Sequence, residues 1–154
     1  MRRPAAIVAV LLASSVLVPA LSAQTTIKLY FVALEDMGKS GKKIGCEDSI
    51  VAVSRTVPSS AAPLGAALRE LLSIRDRNYG QSGLYNALAQ STLTLDKVVV
   101  TGGKAEIRLS GTMTLAGACD SPRVEAQIRE TALQFPSVKT VAIWINGMPL
   151  DTLR

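Results

Sequence analysis

The sequence predicts an α/β fold: a two-layer sandwich in which a mixed β-sheet carries two main helices on one face, ordered strand, strand, helix, strand, strand, helix, strand. Three observations carry this. Two stretches repeat apolar residues at helical spacing, five short stretches alternate or run apolar, and turn-forming residues separate one from the next. The densest case is Asp120 to Gly147, DSPRVEAQIRETALQFPSVKTVAIWING, which reads as a helix start, a helix, a stop, a strand and a turn.

In chain order, residues 1–23 read as an export signal. Arg2 and Arg3 give a positive end, Ile7 to Leu21 an apolar run, and Leu21-Ser22-Ala23 a small-residue cleavage site before Gln24. The alternative, an uncleaved anchor, needs a run of roughly 20 residues, longer than this one. No cysteine stands at the cleavage point to accept a lipid. Removing 23 residues takes two of the 17 basic side chains and none of the 12 acidic ones, leaving one domain, residues 24–154, with a net charge of +3. A mildly basic, aromatic-poor domain does not fit a nucleic-acid binder.

The first strand is Ile27 to Ala33, with Ile27, Leu29 and Phe31 on one face. A polar loop from Glu35 to Gly45 carries Lys39, Lys42 and Lys43, a basic cluster open to anionic cell-wall polymer. Ser49 to Thr56 is the second strand, its Ile50 to Val53 apolar throughout as in a fully buried strand. Ser59 or Ser60 then caps a helix with Pro63 in its first turn and a stripe of Leu64, Ala67, Leu68, Leu71 and Leu72. Gly65 weakens that helix by about 1 kcal/mol relative to alanine, tolerable where packing holds the helix and useful where another backbone comes close.

Residues 76–90 read as a loop with one helical turn, anchored by Leu84, Tyr85 and Leu88. A hairpin follows: Leu95 to Thr101, a Gly102-Gly103 turn, and a return strand in which Ala105, Ile107 and Leu109 alternate with Lys104, Glu106 and Arg108. In the second helix Asp120 or Ser121 is the cap and Val124, Ile128, Thr131, Ala132 and Phe135 the apolar stripe, ended by Pro136. The last strand buries Val141, Ile143 and Ile145 and turns Ala142 and Trp144 the other way, before Asn146-Gly147 reverses the chain. Trp144 therefore either packs at a rim or serves as a contact residue.

Cys46 and Cys119 are the only cysteines, and in an exported chain they predict one disulfide. Closing a loop of about 70 residues implies roughly 4 kcal/mol on the chain-entropy model. The pair lacks the C-x-x-C spacing of redox sites, and zinc needs more ligands than two cysteines. The chain has no histidine, which excludes serine–histidine and cysteine–histidine catalysis and histidine-held metals. Ser40 beside Lys42 and Lys43 lacks the shaped site of serine–lysine chemistry. The disulfide would bring Glu47 and Asp48 towards Asp120, and that cluster is the remaining candidate for a weak cation site or for acid–base hydrolysis. The residues predict no catalytic, metal or cofactor site.

Five stretches carry a family resemblance: IVAVSRTVP, ALRELLS, GLYNAL, KAEIRLSG and above all VEAQIRETALQFPSVKTVAIWING. Together they resemble the GerM-type (GerMN) domain of bacterial sporulation and spore germination proteins, from about Ile27 to Leu150. The resemblance implies an extracytoplasmic α/β module, akin to the small ring-building domains of envelope machines, that works by protein contacts and has no catalytic residues. Members are often lipoproteins or tandem copies, whereas this chain reads as one copy. The expected partner is an envelope protein or further copies of the chain, with the membrane met only through the export signal.

Overall fold

The computed structural model describes residues 23–152, so the export signal read over residues 1–23 lies outside the described residues except for Ala23. In order, the elements are β1 (Gln24–Ala33), β2 (Lys42–Lys43), β3 (Ser49–Pro58), α1 (Pro63–Ser73), β4 (Thr94–Thr101), β5 (Lys104–Ser110), α2 (Asp120–Leu133), β6 (Thr140–Ile145) and β7 (Met148–Pro149). This is the expected α/β succession, with two short strands added. The strands form two sheets rather than one. The first has the order β1-β3-β2 and is antiparallel; the second has the order β4-β5-β6-β7, with β5 and β6 parallel.

The helices join the two sheets. α2 packs on β1 and β6, α1 on β4 and β1, and the helices pack on each other. Ile27, Leu29 and Phe31 of β1 meet the stripe of α1, where Leu64, Ala67, Leu68, Leu71 and Leu72 are all buried as the spacing predicts. Ala105, Ile107 and Leu109 of β5 stand beside Val141, Ile143 and Ile145 of β6 in register, and all six are buried. Gly65 is buried too, and a Cβ there would lie 3.6 Å from Val98 Cγ1. That is an ordinary contact distance, so packing against β4 does not by itself demand glycine there.

The sheets stay separate because the outer edge of β1 is occupied. Gln134 closes on Lys28 with both ends of its amide: Oε1 accepts from Lys28 N–H at 2.7 Å and Nε2 donates to Lys28 C=O at 2.7 Å. Two residues along, Gln127 Nε2 donates to Tyr30 C=O at 2.9 Å. Two further, Val32 exchanges both main-chain bonds with Tyr85, at 2.9 and 2.7 Å. Side-chain amides and one loop residue thus stand where a neighbouring strand would be. Gln127 is fully buried, and it also accepts from Ala87 N–H at 2.9 Å and donates to Asn86 Oδ1 at 3.2 Å.

Several local readings are corrected. Only Ile50 in Ile50 to Val53 is buried; Ala52 is exposed, and Val51 and Val53, opposite Phe31 and Leu29, are only half-buried because α2 lies mainly over β1 rather than β3. Neither helix has the side-chain cap that the sequence suggests. Ser60 Oγ instead accepts from Ala62 N–H ahead of α1, Ser121 Oγ is buried without a partner, and the Asp120 carboxylate turns back to Ala116 N–H at 2.8 Å. Residues 76–90 contain hydrogen-bonded turns but no helix, and Tyr85 and Leu88 are buried there. The Gly102-Gly103 turn is as read, with φ of +55° and +82°.

Replacing Gln127 by leucine keeps the volume but strips Tyr30 C=O and Ala87 N–H of their buried partner. The expected loss is about 2–4 kcal/mol of unfolding free energy, read by denaturant titration. Gln134→Ala, at a more exposed edge, should cost about 1 kcal/mol.

Candidate functional site

The loop between β1 and β3 is held by Asp36. Its Oδ2 accepts from Ser40 N–H and from Ser49 Oγ, both at 2.6 Å, and its Oδ1 accepts from Ser40 Oγ at 3.1 Å. These bonds, Ser49 first and then the Ser40 amide, hold the Asp36 carboxyl below the usual aspartate range. Gly41 is required here: a Cβ would stand 2.1 Å from Ile50 C=O. Of the three sequence-predicted lysines, Lys42 Nζ pairs with Glu130 at 2.6 Å and Lys43 Nζ with Glu47 at 2.9 Å, while Lys39 is exposed. Two of the three charges are therefore answered within the chain. Ser40 bonds to a carboxylate rather than to a lysine, which leaves no serine–lysine pair.

Cys46 and Cys119 form the disulfide, with a Cα–Cα distance of 5.9 Å. It sits at a corner where the backbone turns through two left-handed residues, Cys46 at φ +62° and Glu47 at +60°. Asp48 and Asp120 do approach one another there, and Arg123 stands between them. Its Nε donates to Asp48 Oδ2 at 2.6 Å and its Nη1 to Asp120 Oδ1 at 3.2 Å. Asp48 also accepts from Glu35 N–H at 2.9 Å, and Asp120 accepts from Tyr85 Oη at 3.0 Å. Burial works against the Arg123 charge, but the two carboxylates outweigh it and raise its pKa. Burial, and then the hydrogen bond to Asp120, raises the Tyr85 phenol.

A guanidinium thus fills the position where a cation between Asp48 and Asp120 would bind. Glu47 is turned away, onto Lys43. Among the described residues, no three His, Cys, Asp or Glu side chains group as metal ligands. The sequence reading missed Arg123, Gln127 and Gln134. Gln127 carried a signal, since it interrupts the apolar stripe three residues after Val124 and four before Thr131.

The outer face of the β4-β5-β6-β7 sheet has no helix over it. Lys104, Glu106 and Arg108 of β5 point there, beside Thr140, Ala142 and Trp144 of β6. Trp144 is half-buried, with the Arg108 guanidinium 5.7 Å from its ring centroid, and Arg108 is paired with Glu106. A groove of about 330 Å³ runs beside it along β6, lined by Glu125, Arg129, Val141, Trp144, Pro149 and Asp151. Arg129 donates to Val141 C=O at 3.0 Å and pairs with Glu125 at 2.6 Å, fixing the groove wall. Trp144 thus combines rim packing with an accessible ring.

The family described as Germane, sporulation and spore germination, matches the chain over residues 28–151. The chain belongs to this family. Among solved structures, the tandem GerMN domains of the sporulation protein GerM from Bacillus subtilis superpose with a TM-score of 0.58 at 18% identity, covering 88% of this chain and 43% of that one. The chain therefore spans less than half of that tandem structure. The first GerMN domain of the same protein superposes with a TM-score of 0.55 at 20% identity, covering 81% and 85%. These likenesses establish a Germane fold. No curated protein matches the chain significantly. No helix among the described residues is long and apolar enough to cross a membrane.

Two outcomes follow for this Germane domain. Replacing Cys46 and Cys119 together by alanine is expected to lower unfolding stability by roughly 2–5 kcal/mol, measured in denaturant under non-reducing conditions. The Asp36 carboxyl is depressed in the folded state, so its contribution is full above the ordinary aspartate range of about 3.9 and disappears as pH falls through the lower folded value. Protection of the Ser40 amide, its exchange compared with an unstructured amide at the same pH, should therefore hold at mildly acidic pH and be lost only below that range. In Asp36→Asn that protection should be reduced throughout.

Proposed function

We propose that the chain is a non-enzymatic, extracytoplasmic binding or assembly module of the bacterial cell envelope, working through protein contacts on the uncovered outer face of the β4-β5-β6-β7 sheet. The observation that carries this reading is Trp144. It is a large ring on a helix-free sheet face, braced by Arg108 and bordered by a groove with ordered walls. The acids that would otherwise suggest hydrolysis point the same way, because Glu47, Asp48 and Asp120 are each engaged by a cation that belongs to the fold. Membership of a sporulation and germination family supports an envelope role. The export signal read in the sequence supports an extracytoplasmic one.

The test is site-specific photocrosslinking in the native envelope from Lys104, Trp144 and Asp151, with Lys39 as a second group. One recurrent envelope protein, or the chain itself, captured from the first group and lost at least roughly tenfold in an Arg108→Ala variant of unchanged stability, is the expected result. Capture of wall polymer from Lys39 alone, lost when Lys39, Lys42 and Lys43 become glutamate, would replace this reading with polymer binding.

A further inference from the structure

The edges of the two sheets are treated very differently. The outer edge of β1 is closed by Gln134, Gln127 and Tyr85. β2 is two residues long and both are lysines; β7 is two residues long and ends at Pro149, which has no N–H. β4 carries a lysine, Lys97, and a register irregularity at Asp96, but both lie in its first half. It runs eight residues, Thr94–Thr101, and its second half holds Val98, Val99 and Val100, the last two 42% and 39% exposed.

The hairpin fixes which groups are free. Across the two-residue Gly102-Gly103 turn, Thr101 and Lys104 form a hydrogen-bonded pair, and alternation makes Val99 and Glu106 the next. The main-chain groups of Val98 and Val100 therefore face away from β5. Among the described residues no strand pairs with β4 on that side. Beneath the edge lies an apolar groove of about 210 Å³, lined by Pro63, Leu64, Gly65, Val98, Val100 and Phe135.

We propose that a second copy of this chain adds its β4 to this edge, antiparallel, about a two-fold axis passing at Val99. The inference rests on the reading of the chain as a contact module and names one partner for it. The strand is complementary to itself in that register. Val98 of each copy stands opposite Val100 of the other, so that the outward main-chain groups meet and exchange both N–H···O bonds. Val99 meets Val99 on the outer face at a non-hydrogen-bonded position, where side chains are closest. Lys97 meets Thr101, and no like charges stand directly opposite. Registers displaced by one residue place outward groups opposite inward ones and form no ladder. The neighbouring two-fold registers set Lys97 against Val99 or Val98 against Gly102. On the helix side the two apolar grooves become one trough across the axis. The product is a single sheet continuous through both copies, joined by an isologous contact. The contact is confined to one strand and the groove beside it, so the dimer is a weak, concentration-dependent one.

Sedimentation of the purified chain over a wide concentration range, with oxidation of a Val99→Cys variant, tests this. The native cysteines are already paired, so the introduced thiol is the only free one. The expected result is a reversible dimer, rapid disulfide dimerisation of Val99→Cys but not of the exposed strand control Thr140→Cys, and a dissociation constant raised roughly tenfold or more by Val99→Lys, which opposes two lysines at the axis. A chain that stays monomeric, with Val99→Cys no faster than Thr140→Cys, overturns the proposal. If such a chain is still crosslinked to an envelope protein through Trp144, the contact-module reading stands without its second copy. If neither contact forms, both readings fail.

Discussion

The fold depends on how the outer edge of β1 is closed. A strand edge presents an N–H and a C=O at every second residue, and left buried without partners each would cost about 1–3 kcal/mol. Here Lys28 receives both ends of the Gln134 amide, Tyr30 the amide of Gln127, and Val32 the backbone of Tyr85. Both glutamines come from one end-to-end stretch of α2 and its C-terminal boundary, seven residues apart and so on the same helical face. The helix consequently does two jobs: it buries apolar area on β1 and completes the strand's hydrogen bonding. That combination lets two sheets share one helical layer without merging.

Gln127 also explains why residues 85–88, which lie outside the helices and the named strands, are buried. Its Oε1 fixes Ala87 N–H and its Nε2 fixes Asn86 Oδ1, while Asn86 Nδ2 donates to Ile74 C=O and Asp76 C=O. The chain leaving α1 is thus tied to both β1 and α2 by amides rather than by a ladder. Tyr85 continues the connection outward to Asp120 and so to Arg123 and Asp48. The disulfide closes the same circuit covalently. Cys46 and Glu47 hold left-handed backbone at a cost on the order of 1–3 kcal/mol each, and the bridge with its buried ion pairs is what maintains them. The disulfide is therefore part of the folding logic at this corner.

What was legible in the sequence was whatever rests on period. Alternation placed Ile27, Leu29 and Phe31, then Ala105, Ile107 and Leu109, then Val141, Ile143 and Ile145, and helical spacing placed the α1 stripe. The Gly-Gly and Asn-Gly turns were equally plain, because their positive φ angles admit few residue types. What was not legible was sheet membership. One sheet or two depends on whether the edge of β1 meets a strand or an amide, and a glutamine within a helix pattern looks the same in both cases. The acids show the same limit. Their convergence on the disulfide corner could be read from connectivity, but Arg123 between them could not, since an arginine in the first turn of an amphipathic helix ordinarily points to solvent. Likewise the lysines clustered in sequence were separated in space, because Glu130, far along the chain, answers Lys42.

The same contrast separates folding from recognition in this molecule. The largest buried polar side chains are gathered at one corner and along β1, where Asp48, Asp120, Asn86 and Gln127 are almost wholly inaccessible and each has several partners. The second sheet needs none of this. Its core face is apolar and its ladder is complete between β5 and β6, so its outer face is not needed to hold the core. Yet the second half of that edge strand carries three valines, while the features that ordinarily disarm an edge, Lys97 and the irregularity at Asp96, lie ahead of them. A chain that seals one edge with two buried-side glutamines and leaves another apolar is not short of ways to protect an edge. The valines stand where a strand has room to pair, and that asymmetry, beside Trp144, is what supports the proposed contacts on the second sheet.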